Sequence, residues 1–324
     1  MKKRVVLVSI ALVLTLIMGA CGNKDEKESS TERKEGVLSV YTTVYPLQYF
    51  TEQIGGDYVD VKSIYPAGAD EHSFDPTQKD MMALSEADLF FYIGLGLEGF
   101  VENAQKTLKG QHVKMVATAD SISEERLSDN EHEHEEHEDH DDEEHHDHGK
   151  VDPHVWISPT LSIELARSIK DSLSSEMSEQ KETFEKNFDA LEDHLLELDQ
   201  RFQQMADQAS SKTFFVSHAA FGYIAKDYGL QQVAIAGLNS QNEPSQKQLA
   251  NIVKQAKDNQ VQFILFEQNV SSKLTEVVRK ELGAESLTLH NLGVRTQEDL
   301  NADETYFTLM ERNLSVFEKA LGQQ

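Results

Sequence analysis

A chain of 324 residues with a formal net charge of -27 is long enough for two ordinary lobes and has the wrong sign for nucleic acid, whose phosphates it would repel. The acid surplus favours cations instead. With one cysteine in the whole chain there is no internal disulfide, so packing must stabilise the fold.

The first 20 residues read as a targeting segment rather than structure. Lys2, Lys3 and Arg4 precede an apolar run at 5–18 that is too short and wrongly flanked for a spanning helix. Met18-Gly19-Ala20-Cys21 then sets small residues before the only cysteine. This resembles a bacterial lipoprotein signal, with Met18 where Leu is usual. It implies a Cys21 that is lipidated (palmitate included), a mature chain starting there, and an extracytoplasmic location at a Gram-positive cell surface. Residues 21–36 are charged, serine-containing and aperiodic, as expected of a flexible tether.

From 37 the pattern becomes regular. Strands are expected at 37–43, 59–65, 88–93 and 113–117, with helices at 47–54, 77–86 and 97–108 between them. Strict alternation of this kind predicts a parallel sheet covered by helices on both faces. The first lobe is placed at 37–178. Within it, 124–150 is expected to be a disordered loop, because eighteen consecutive residues, 131–148, are all acids or histidines and cannot build a core. Ser158-Pro159 opens a helix carrying Leu161, Leu165, Ile169 and Leu173. The stretch 179–208 then runs without Pro or Gly, its Phe184, Phe188, Leu191, Leu195, Leu198 and Phe202 spaced three or four apart, and reads as a helix linking two lobes. Alternation resumes over 209–324, with strands at 213–217, 233–236, 263–266 and 287–289 and helices at 219–228, 245–257, 271–282 and 306–321. The fold class is therefore α/β: two (β/α)4-like lobes with parallel sheets, joined by a long backbone helix.

Thirteen histidines fall into three sets. Seven (His132, His134, His137, His140, His145, His146 and His148) lie in the acidic tract, where they can bind several cations loosely, since ordering the tract opposes tight binding. His112 and His194 sit in polar, helix-flanking surroundings and read as surface residues. His72, His154, His218 and His290 each follow a strand or sit in a turn. Ligands in open α/β sheets bind outside the carboxyl ends of strands. Two such histidines in each lobe predict a metal site in the cleft between them. A zinc-dependent hydrolase is the rival from another class, but no H-E-x-x-H helix occurs and no Ser, Cys or Lys stands beside a base as a nucleophile. The chain is expected not to be an enzyme. A surface adhesin is a further rival, without any adhesive repeat to carry it.

Four segments carry a resemblance to a known family: 68–76 (Gly-Ala-Asp-Glu-His-Ser-Phe-Asp-Pro), 152–156 (Asp-Pro-His-Val-Trp), 216–223 (Val-Ser-His-Ala-Ala-Phe-Gly-Tyr) and 242–245 (Asn-Glu-Pro-Ser). In this order they resemble the metal-binding lipoproteins that serve bacterial ABC importers (cluster A-I), and within them the zinc branch of ZnuA/AdcA type, which also carries an acidic histidine loop. The resemblance implies a monomeric solute-binding protein that hands zinc(II) to a membrane permease. It implies His72, His154 and His218 as ligands. Manganese proteins of the family tend to have Glu where His218 stands, and imidazole suits zinc better than manganese, so His218 argues against the nearest rival, a manganese or iron carrier of the same family. His290 stands near the usual place of a fourth ligand, with water or Glu71 as alternatives, and Glu267, which ends a strand, is expected to be an acid supporting a ligand or a packing-edge residue, with coordination the lesser alternative. Binding should weaken as pH falls through the histidine range.

Overall fold

The structure, a computed structural model, describes residues 35–128, 151–239, 244–268 and 273–322. Cys21 with its leader, and the histidine tract, lie outside the described residues. The first lobe is built from β1 (Leu38–Thr42), α1 (Tyr45–Gly55), β2 (Val59–Ser63), α2 (Gln78–Ser85), β3 (Leu89–Tyr92), α3 (Val101–Thr107), β4 (Lys114–Ala117) and α4 (Glu124–Ser128). Two long helices follow, α5 (Pro159–Glu176) and α6 (Lys181–Gln208). The second lobe holds β5 (Thr213–His218), α7 (Gly222–Asp227), β6 (Gln231–Ala236), α8 (Gln246–Asp258), β7 (Phe263–Glu267), α9 (Lys273–Leu282), β8 (Glu285–Leu289), α10 (Gln297–Asn301) and α11 (Tyr306–Ala320).

Both sheets are four-stranded and wholly parallel, in the orders β2-β1-β3-β4 and β6-β5-β7-β8. Each order reverses once, between β1 and β3 and between β5 and β7, which opens a crevice beyond the carboxyl ends of those strands. β3, Leu-Phe-Phe-Tyr, is buried at all four positions, as a strand covered on both faces must be. β5 shows the alternation of a two-sided strand. Phe214 and Val216 join a core shared by both lobes, and Phe215 joins a smaller cluster with Val233, Ile235 and Ile264.

Local sequence chemistry sets the helix ends. Thr77, Ser245, Thr296 and Thr305 each accept a hydrogen bond from the backbone N–H three residues on, and each is answered by a side chain bonding back to the cap. Ser158 caps α5, with Pro159 at its first position. The 28 residues of α6 span about 42 Å at the helical rise per residue. Its buried stripe, Phe184, Phe188, Leu191, Leu195, Leu198, Phe202 and Met205, packs on α1, α5 and α11. The C-terminal helix α11 also returns to the first lobe, where Tyr306 packs edge-on against Phe50 with ring centroids 5.0 Å apart. No helix among the described residues is long and apolar enough to cross a membrane.

The differences from the sequence reading lie mostly at element ends. The helix expected at 97–108 starts only at Val101, and that expected at 219–228 only at Gly222. In the second case the chain leaving β5 is still tied to the neighbouring strand, with the Ala219 N–H on the Gly237 carbonyl and the Phe221 N–H on the Gln232 side chain. The loop expected to begin at 124 begins no earlier than 129, because Glu124–Ser128 is helical. The short helix α10 was not expected at all.

Candidate metal centre

Three of the predicted histidines meet. His72, in the loop after β2, His154, in the turn before α5, and His218, the last residue of β5, each offer a ligand atom within 4.8 Å of the others. Among the described residues this is the one such group of histidines, cysteines and carboxylates. The ring centroids lie 4.9 to 5.2 Å apart, and Nε2 of His154 is 3.2 Å from Nε2 of His72. Two nitrogens bound tetrahedrally to one zinc at about 2.1 Å would stand about 3.4 Å apart, so the observed spacing fits a shared ion. His154 and His218 are fully buried and His72 partly so.

Each buried ring is held from behind by a carboxylate. Asp152 Oδ1 accepts from the backbone N–H of His154 at 2.9 Å and faces its Nδ1 at 2.7 Å. Pro153 stiffens the turn between them, and Trp156 packs beside the His154 ring with centroids 5.3 Å apart. The His218 ring donates from Nδ1 to Glu267, whose two oxygens lie at 3.1 and 3.0 Å, and Ser217 donates to the same carboxylate at 3.1 Å. β5 and β7 are neighbours, so their carboxyl ends place His218 and Glu267 side by side. With Nδ1 engaged in both rings, Nε2 is the atom left for a metal; in His154 it faces Nε2 of His72, and in His218 it lies 3.0 Å from the Leu238 carbonyl.

The electrostatics separate the three rings. Burial, with the neighbouring His154 and His218, lowers the pKa of His72 to about 3. Burial also lowers that of His154, against the opposing pull of Asp152. At His218 burial disfavours the cation, but the charge and hydrogen bond of Glu267, with the Leu238 carbonyl 3.0 Å from Nε2, outweigh it and raise the pKa to about 9. The paired Glu267 is held below the usual carboxylate range despite its burial. Glu71 is pushed up to about 7, chiefly by burial.

His290 is not brought to this cluster, which corrects the expectation of a fourth imidazole. Its ring is buried and turned into its own loop: Nδ1 accepts from the backbone N–H of Leu292 at 2.9 Å, and Nε2 donates to Asp299 at 3.1 Å. Both nitrogens are thus engaged within that loop, and the ring lies outside the group of mutually close ligand atoms. The partner, Asp299, comes from α10, the element that the sequence did not announce. Glu71, buried beside His72, turns its Oε1 to the Asn291 side chain at 2.9 Å and is likewise outside the group of mutually close ligand atoms. His112 and His194 are exposed, as expected of surface residues.

Sequence reading missed three supporting groups. Asp152 was visible as part of a motif, but its role follows only from the turn that folds it under His154. Gly222 leaves room for that carboxylate, since a Cβ there would stand 2.8 Å from Asp152 Oδ2. Asn291 and Gln268, at the ends of β8 and β7, carry no metal-site signature and emerge only from the fold.

Comparison with known proteins places this arrangement. The family model described as "Zinc-uptake complex component A periplasmic" matches residues 40–320. The chain is 38% identical over 320 residues to the zinc-binding lipoprotein AdcA of Streptococcus pneumoniae R6, covering 97% of this chain and 60% of that protein. It is 37% identical over 306 residues to the high-affinity zinc uptake system protein ZnuA of Bacillus subtilis 168, covering 94% of each. Among solved structures, the Zn(II)-bound ZnuA-like domain of Streptococcus pneumoniae AdcA is 36% identical with a TM-score of 0.71, covering 88% of this chain and 99% of that one. The chain thus spans about three fifths of the length of the pneumococcal relatives it matches, and nearly all of the Bacillus one.

Proposed function

The chain belongs to the family of zinc-uptake complex component A proteins, and on that premise we propose that it binds zinc(II) between its two lobes and delivers it to an ABC permease. The observation that carries the reading is the convergence of three imidazoles, two from the first lobe and one from the second, with a carboxylate behind each buried ring. Neutral imidazole is a good zinc donor and a poor match for manganese, which prefers oxygen. Three such donors leave one tetrahedral position for a small ligand from the cleft. The carboxylates orient the rings and raise their basicity, which strengthens binding without adding a ligand.

In this reading the chain acts as a monomer outside the cytoplasm, anchored through a lipid on Cys21, and zinc is cargo rather than cofactor. It carries the ion and catalyses no reaction. The tract histidines serve as loose accessory sites.

The test is transport. Cells lacking this chain should accumulate markedly less radioactive zinc at scarce external zinc, and the full-length chain should restore uptake where a His154→Ala version does not. Uptake that is unchanged by loss of the chain, or fully restored by the variant, would defeat the proposal.

A further inference from the structure

One residue outside the histidine cluster bonds to a neighbour of each of its three members. Asn291 is buried in the turn after β8, and each of its polar atoms has a partner. Its side-chain NH2 donates one hydrogen to Glu71 Oε1 at 2.9 Å and the other to Glu267 Oε2 at 3.1 Å. Its Oδ1 accepts from Gln268 Nε2 and from the backbone N–H of Gly293, both at 3.0 Å. Those two donors fix the orientation of the amide, because a flipped group would set its oxygen against two carboxylates and its hydrogens against two N–H groups. The backbone N–H donates to Gln268 Oε1 at 3.0 Å, and the carbonyl accepts from the Trp156 indole at 2.7 Å.

We propose that Asn291 is a positioning residue for the metal site, an interlobe strut that sets the spacing between its two halves. Glu71 adjoins His72, Glu267 holds His218, and Trp156 packs against His154, so one side chain and its carbonyl tie the surroundings of every ring together. Two of the three contacts cross from the second lobe to the first. The turn is built for this. Leu292 adopts φ 58°, a left-handed conformation that costs a branched residue free energy and persists only when its surroundings hold it. His290 and Asn291 supply that hold by accepting the N–H groups of Leu292 and Gly293. Gly293 lets the backbone come close to Glu71: a Cβ there would lie 2.7 Å from the carboxylate carbon, a distance real side chains do not tolerate. The Glu71 carboxylate is thus seated between the Asn291 amide and the Gly293 backbone.

The inference rests on the zinc-carrier reading and is tested apart from it. Zinc affinity and the rate of zinc loss to a chelator are measured on the unmodified protein and on Asn291→Ala, with the absorption spectrum of bound cobalt(II) as a report on coordination geometry. The strut predicts a wild-type protein that binds zinc tightly. In the variant, affinity should fall by about tenfold or more, as it does when groups that orient metal ligands are removed, with faster zinc loss and an altered cobalt spectrum. Gly293→Ala should reproduce these changes by displacing Glu71 alone, add little to Asn291→Ala in the double variant, and decide the matter should Asn291→Ala not fold. A residue of purely structural importance would lower the melting temperature and leave the dissociation rate and cobalt spectrum as they were. That outcome overturns the inference. An unmodified protein that binds no zinc would overturn the carrier reading instead.

Discussion

His218→Ala is expected to weaken zinc binding by at least about 100-fold, since removing even the groups that support a ligand costs 10–100-fold. The variant loses one of three imidazoles and the whole contribution of the second lobe to the cluster. It also leaves Glu267 buried at 4% exposure without the cation that holds it ionised, although Ser217 and Asn291 still donate to it. A paired substitution gives the contrast. His290→Ala should leave zinc affinity close to wild type, because that ring serves Asp299 and Leu292 rather than the metal. It should instead destabilise the fold by about 1–3 kcal/mol through the partners left unpaired, measured by denaturant unfolding. If His290→Ala abolished zinc binding while His218→Ala spared it, the assignment of the two rings would be reversed.

Zinc binding is expected to release about one proton per ion at pH 8, and affinity should fall by about tenfold for each pH unit below 9. The sign follows from His218. Glu267 raises its pKa to about 9, so below that value the metal-free ring carries a proton that zinc must displace. His72 and His154 contribute little, since burial lowers the pKa of each and both rings are already neutral. Glu71, raised to about 7 by burial, adds a fraction of a proton near neutrality, which is why pH 8 isolates His218. Calorimetry in buffers of different ionisation enthalpy reads the proton count directly. Glu267→Gln should bring it towards zero, because the amide no longer holds the ring charged. No proton release in the unmodified protein would mean that His218 is neutral before zinc arrives.

The α/β alternation was legible because parallel strands buried on both faces are short apolar runs between turn residues, as in β3 and β7. Two parallel sheets joined by a long helix followed from that pattern. The three histidines that meet in the structure were legible for a related reason. His218 ends a strand and His154 sits in a proline turn, positions where a side chain meets the crevice rather than a helix face. His290 shows where that logic stops. A histidine just past a strand looks the same in sequence whether its ring enters the cleft or folds back on its own loop. The choice was made by Asp299, nine residues further on, in a helix too short to show periodicity. Asn291 was invisible for another reason: an asparagine in a turn usually signals only turn chemistry, and its bonds to Glu71, 220 residues away, exist only in the folded chain.

The most direct test of the central claim is a calorimetric titration of metal-free protein lacking residues 1–21 and 131–148, first with zinc and then with manganese. One tightly bound zinc per chain, with no comparable response to manganese, is the predicted result. Tight manganese binding, or the loss of tight zinc binding once the tract is gone, would contradict a zinc site made by His72, His154 and His218.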